Sequence, residues 1–142
     1  SEEHVAVYID ADSDRKTYAV IEVAPTGAVR DAFVLSYDNG EKRKFLADWR
    51  CEGLRTSETV YGGSAEPGTA DRFWTVEMAI PFDQFVTAPT LPPQRGDSWL
   101  FNVYRAELTG TREYSALSPT GSDGFHRPQS FIRLVFGESP EQ

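Results

Sequence analysis

Three aspartates recur at alternate positions in one short stretch, Asp10, Asp12 and Asp14. Carboxylates at that spacing in a loop can converge on a hard cation such as calcium. The stretch is not an EF-hand, because Arg15 stands where that loop requires glycine and Ile21 where it requires the bidentate glutamate. Aspartates also cap plain polar turns through Asx contacts, and Arg15 and Lys16 could neutralise this group, so an ordinary turn stands beside the structural-calcium reading.

A second group of residues suits a sugar. A pyranose needs a flat apolar platform for its C–H face and planar hydrogen-bonding groups for its hydroxyls. Trp49 lies in a polar stretch between strand candidates, whereas Trp74 and Trp99 sit within or at the start of strands and read as core. Trp49 is therefore the first platform candidate, the alternative being a tryptophan that plugs the edge of the fold. Arg105 and Glu107, two apart on one strand face, would offer a guanidinium and a carboxylate to hydroxyls, or else form an internal ion pair. Phe125 and His126 share a loop bounded by Gly124 and Pro128, where the imidazole suits a ligand hydroxyl or a structural hydrogen bond.

The patterns of common enzymes are missing. No G-x-S-x-G, H-E-x-x-H or glycine-rich phosphate loop occurs, and two histidines with one cysteine leave few ways to build a triad. Carboxylates are plentiful, but abundance does not make a glycosidase pair. A non-catalytic binding domain is expected.

Acidic residues outnumber basic ones, 22 to 14, for a net charge of -8. That field repels phosphate backbones and anionic lipid, so neither nucleic acid nor a membrane surface is expected as a partner. The longest apolar stretches run to about six residues against the roughly 20 that a membrane-spanning helix needs. No charged segment followed by an apolar run opens the sequence, so localisation is inferred only indirectly. Cys51, the sole cysteine, can form no internal disulfide and is expected to be a buried, inert thiol.

The elements that must position these residues are short strands of β-branched and aromatic residues, separated by Gly, Pro, Asn and Asp clusters. Val5, Val7 and Ile9 alternate with His4, Ala6 and Tyr8, which gives the first strand one apolar face. Lys16 to Val23 and Ala28 to Leu35 follow, joined through Pro25-Thr26-Gly27 as a hairpin. Glu41 to Lys44, short and mixed in sign, reads as a solvated loop. Leu54 to Tyr61 and Arg72 to Ile80 are the next strands, with a loop of small residues over 62–69 between them. Pro81 ends that run, and Phe82 to Phe85 makes a single helical turn. Ser98 to Leu108, Arg112 to Leu117 and Phe131 to Phe136 complete the set, with Ile132, Leu134 and Phe136 facing inward. The expected fold is all-β, an antiparallel β-sandwich of about eight short strands, with a closed barrel second. One domain spans residues 1–142.

Several strings across the whole chain resemble the family-nine carbohydrate-binding modules and the wider group of dopamine-monooxygenase-N-terminal-like (DOMON-like) sandwiches. They are Val7-Tyr-Ile-Asp10-Ala-Asp12-Ser-Asp14, Tyr18 with Glu22-Val-Ala-Pro25-Thr-Gly27, and Trp49-Arg-Cys51-Glu-Gly53-Leu54. More specific are Arg72-Phe-Trp74-Thr-Val-Glu77-Met-Ala-Ile-Pro81-Phe82, Gly96-Asp-Ser-Trp99 with Asn102-Val-Tyr-Arg105-Ala-Glu107, and Leu117-Ser-Pro119 running to Phe125-His126-Arg-Pro128 and Phe131.

The resemblance implies a domain that binds oligo- or polysaccharide, part of a secreted, periplasmic or cell-surface carbohydrate-active protein, with structural calcium in some relatives. It carries over Trp49, Arg105, Glu107 and His126 as family-pattern positions. Members usually carry strands before the Ile-Asp-x-Asp segment, which here begins within ten residues of Ser1, so the chain is expected to be a fragment or to be completed by another chain or domain. Two other roles fit the same resemblance. A structural module could dock to a neighbouring domain, or haem could be held between a Met and a Lys or His. The only methionine, Met78, alternates with Trp74, Val76 and Ile80, which is a core pattern.

Overall fold

β1 (His4–Asp10) is the strand around which the main sheet assembles. It pairs antiparallel with β2 (Thr17–Val23) on one side and β7 (Ser98–Glu107) on the other. The structure, a computed structural model, describes residues 3–62, 73–108, 111–122 and 124–138. β2 continues to β3 (Val29–Tyr37) and β3 to β4 (Lys42–Leu46), while β7 also pairs with β8 (Glu113–Ala116) and β9 (Ile132–Val135). These strands form a seven-stranded sheet, and β5 (Arg55–Tyr61) with β6 (Phe73–Ala79) forms a two-stranded one. The fold is an antiparallel all-β sandwich. Positions 63–69 of the expected small-residue loop, and Arg72, lie outside the described residues.

Strand alternation divides the interior into two layers. On one face of the large sheet, here the upper face, Ala6, Tyr8, Tyr18, Val20, Val34, Leu100 and Tyr104 form a cluster closed by Phe131. On the lower face Ile9, Ala19 and Trp99 pack with Phe85, and Ile21 and Val23 pack with Cys51. The inward side chains of β6 and the Ile80 region cover these lower clusters: Val76, Met78 and Ile80 all touch them. β1 is thus buried on both faces, where alternation alone suggested one apolar face. Of this central strand only His4, Val5 and Val7 keep partial exposure, because neighbouring strands and the two layers cover the rest.

Nine strands stand among the described residues, one more than expected, and the addition is β4. Its Lys42, Arg43 and Lys44 belong to the charge cluster that reads as a loop, yet the segment pairs residue by residue with β3, from Phe33↔Leu46 to Tyr37↔Lys42. Charged side chains suit an edge strand, where they discourage further pairing. Pro81 does end β6, and Phe82–Gln84 is a 3-10 turn as expected. Gly27, at φ +85, closes the β2–β3 hairpin and donates its N–H to the Ala24 carbonyl at 2.9 Å. Ile132 pairs with Phe101 and so shares the lower face with Leu134, but at the sheet's edge it stays 38% exposed.

Candidate functional site

The upper face carries a set of rings in contact. Tyr8 and Tyr18, on neighbouring strands, stack with centroids 5.6 Å apart, and Tyr104 meets Tyr8 edge-on at 4.7 Å. His126 descends onto them from the segment between β8 and β9. Its Nδ1 lies 2.8 Å from the Tyr18 hydroxyl and its Nε2 3.3 Å from that of Tyr8. In a neutral imidazole one nitrogen donates and the other accepts, and two hydroxyls satisfy both. Burial, followed by the positive charge of Arg43, holds the His126 pKa down at about 4, so the ring is neutral at physiological pH. Burial also pushes the hydroxyls of Tyr8, Tyr18 and Tyr104 well above the usual tyrosine range.

Two contacts fix the loop that delivers His126. Arg15 Nη1 donates to the carbonyls of Pro128 at 2.7 Å and Phe131 at 3.2 Å. Gly40, at φ +87, packs so tightly that a Cβ there would run into the His126 carbonyl. The residues just before β4 and those around Pro128 are therefore locked together.

Beside His126 a cavity of about 430 Å³ opens to solvent. Phe45 of β4 stands in its wall, half exposed, and meets His126 edge-on at 5.4 Å. Glu22 and Arg30, directly opposite on β2 and β3, also line it, with Val20, Ala32 and Arg50. Register explains the grouping: residues paired across antiparallel strands share a face, so Glu22 and Arg30 project to the side of Val20 and Val34. Neither Glu22 nor Arg30 makes a side-chain hydrogen bond or ion pair with a described residue, so both polar heads are uncommitted. An aromatic ring flanked by a carboxylate and a guanidinium can stack on a sugar's C–H face while bonding its hydroxyls.

Of the site residues suggested by sequence, His126 lines this cavity and Phe125 lies next to it, stacked on Tyr104 at 4.4 Å. The other sugar-site candidates lie on the lower side. Trp49 is half-buried, 6.3 Å from Phe33, and packs against both lower clusters, so it occupies the plug position. Arg105 Nη2 sits 3.4 Å from Glu3 and 3.5 Å from Glu107, an internal network that also takes the Trp74 indole N–H, donated to Glu3 at 2.8 Å. Met78 packs against the lower cluster of Ile21, Val23 and Cys51, across the sheet from His126, so those two residues do not share a haem cleft. Phe45, Glu22 and Arg30 were not singled out in the sequence. The aromatic Phe45 directly after the charge cluster, on the alternation of Arg43, was the one signal that could have found it.

Asp10, Asp12 and Asp14 do come together, each offering a carboxylate oxygen within 4.8 Å of the others. Asp12 accepts the Asp14 N–H, and Asp14 accepts the N–H groups of Lys16 and Thr17 at 2.7 and 2.8 Å. Partial burial opposes ionisation of Asp14, but these hydrogen bonds win and hold its pKa low. Asp10 is fully buried. Its Oδ2 accepts the Arg15 N–H at 2.8 Å while Oδ1 has no partner among the described residues. Burial, then its contact with Asp12, pushes the Asp10 pKa up to about 7.

The chain matches no protein-family model and no curated protein. Among solved structures it is similar to a Bacteroides uniformis ATCC 8492 protein named a "putative carbohydrate-binding protein", with 19% identity and a TM-score of 0.67. The match covers 94% of this chain and 61% of the other, so the chain spans less than two thirds of that protein's length. The likeness shows a shared fold.

Proposed function

We propose that this domain binds carbohydrate without catalysis, in the cavity between Phe45 and His126. The observation that carries the proposal is the half-exposed Phe45 ring set beside the uncommitted Glu22 and Arg30 in an open cavity. The volume, about 430 Å³, falls in the range of small-ligand sites. The named role of the Bacteroides uniformis neighbour supports the same reading. On this view the domain holds a secreted or surface carbohydrate-active protein near its polysaccharide by weak, multivalent attachment.

Calorimetric titration with gluco-, xylo- and manno-oligosaccharides tests the reading. Phe45→Ala should weaken binding by at least about tenfold, roughly 1.4 kcal/mol, with little change in melting temperature because the ring is half exposed. Silence across acidic and neutral saccharides alike, or binding indifferent to Phe45→Ala, would overturn it.

A structural calcium ion held by Asp10, Asp12 and Asp14 is a second proposal, resting on the buried Asp10 Oδ1 that has no partner among the described residues. A cation there would satisfy the orphaned oxygen and offset repulsion among three carboxylates. Its role would be to fix the β1–β2 loop. Millimolar calcium should raise the melting temperature of native protein stripped with chelator and leave Asp10→Asn unmoved. An equal response in both would end the proposal.

A further inference from the structure

We infer that the cavity favours acidic saccharides, chains bearing uronate carboxylates, through Arg30. The inference deepens the saccharide reading above and rests on it. The chain as a whole carries a net charge of -8, and such a field repels anions over most of its surface. The cavity departs from that balance. Arg30 and Arg50 line it, and Arg43 is close enough for its charge to act on His126, Tyr8 and Tyr18.

The ion pairing decides what remains free. Arg50 is matched by Asp31 at 3.6 Å. Arg43 donates to the Gly40 carbonyl, a neutral acceptor, so its charge has no carboxylate partner among the described residues. Arg30 is exposed and makes no ion pair with a described residue. Against these two guanidinium groups stands one uncommitted carboxylate, Glu22. A neutral sugar would leave the surplus positive charge unmatched. A guanidinium fork fits a carboxylate bidentately, with charge-assisted bonds about twice as strong as neutral ones. The wall also runs along four consecutive residues of β3, Val29 to Ala32, which at strand rise is roughly 10 Å and suits a chain of sugars.

Calorimetry on the intact protein, with oligogalacturonate and oligoglucuronate each set against its carboxyl-reduced form, is the test. At least one acid should bind about tenfold or more tightly than its reduced form, and salt should erode that preference. Arg30→Gln should abolish the preference, so that the acid and its reduced form bind the variant with equal affinity, and Glu22→Gln should strengthen binding of the acid. Equal affinity for both forms, or a preference that survives Arg30→Gln, would overturn the inference. If neutral oligosaccharides bind and neither acid does, the inference fails while the saccharide reading stands. Silence from every saccharide would overturn both.

Discussion

The Tyr18 hydroxyl lies 2.8 Å from Nδ1 of His126, 108 residues further along the chain. Through this bond the wall of the cavity is tied to the core of the sheet, because the same ring reaches Tyr8 through Nε2. Disturbing His126 therefore disturbs both the ligand site and the upper-face packing.

This coupling makes stability depend on pH. His126 takes up its proton near pH 6.5 when unfolded and near 4 when folded, because burial and then Arg43 disfavour the imidazolium. Between those values the unfolded chain binds more protons, so stability is full above about 6.5 and falls as pH drops toward 4. After allowance for partial exposure the loss is about 2 kcal/mol. Asp10, with its pKa raised to about 7, acts with the opposite sign over the same range, so the test is a comparison: the native urea midpoint should lose ground to that of His126→Phe as pH falls from 7 to 4, even though the variant is less stable at neutral pH.

Gly40→Ala should cost more than the roughly 1 kcal/mol expected from a strained backbone alone. The residue sits at φ +87, and its Cβ would run into the His126 carbonyl. The loop must shift, so ligand affinity should fall together with the melting temperature. A variant as stable as native, with native affinity, would contradict the tight seat.

Trp49→Ala should act on stability and not on the site. Trp49 bridges the two lower clusters, on the face of the sheet away from His126. Truncation should cost about 2 kcal/mol, less than a fully buried tryptophan because the ring is only half-buried. Affinity measured on the folded fraction should remain within about twofold, a difference near 0.4 kcal/mol.

Cys51 should resist thiol reagents. It is 6% exposed, and burial followed by the nearby Asp31 and Asp83 pushes its pKa up to about 11. The thiolate, which is the reactive form, is scarce at pH 8. Labelling should be slow in native protein and fast in denaturant; rapid native labelling would refute the burial.

The sequence by itself determined the local structure. Alternation over Val5 to Ile9, the turn at Pro25-Thr26-Gly27 and the stop at Pro81 each act within a few residues, and the antiparallel strands follow from them. Convergence of Asp10, Asp12 and Asp14 was legible for the same reason. Only the tertiary structure decided which faces were covered, and this is why β1 proved buried on both sides and why the charged segment of β4 became an edge strand. It also decided the site. Glu22 meets Arg30 through strand register, and Phe45 meets His126 across 81 residues of chain. Trp49 and Arg105 carry side chains suited to a sugar, but the two sides of a sheet are assigned by long-range pairing and packing, and those placed both residues on the lower face.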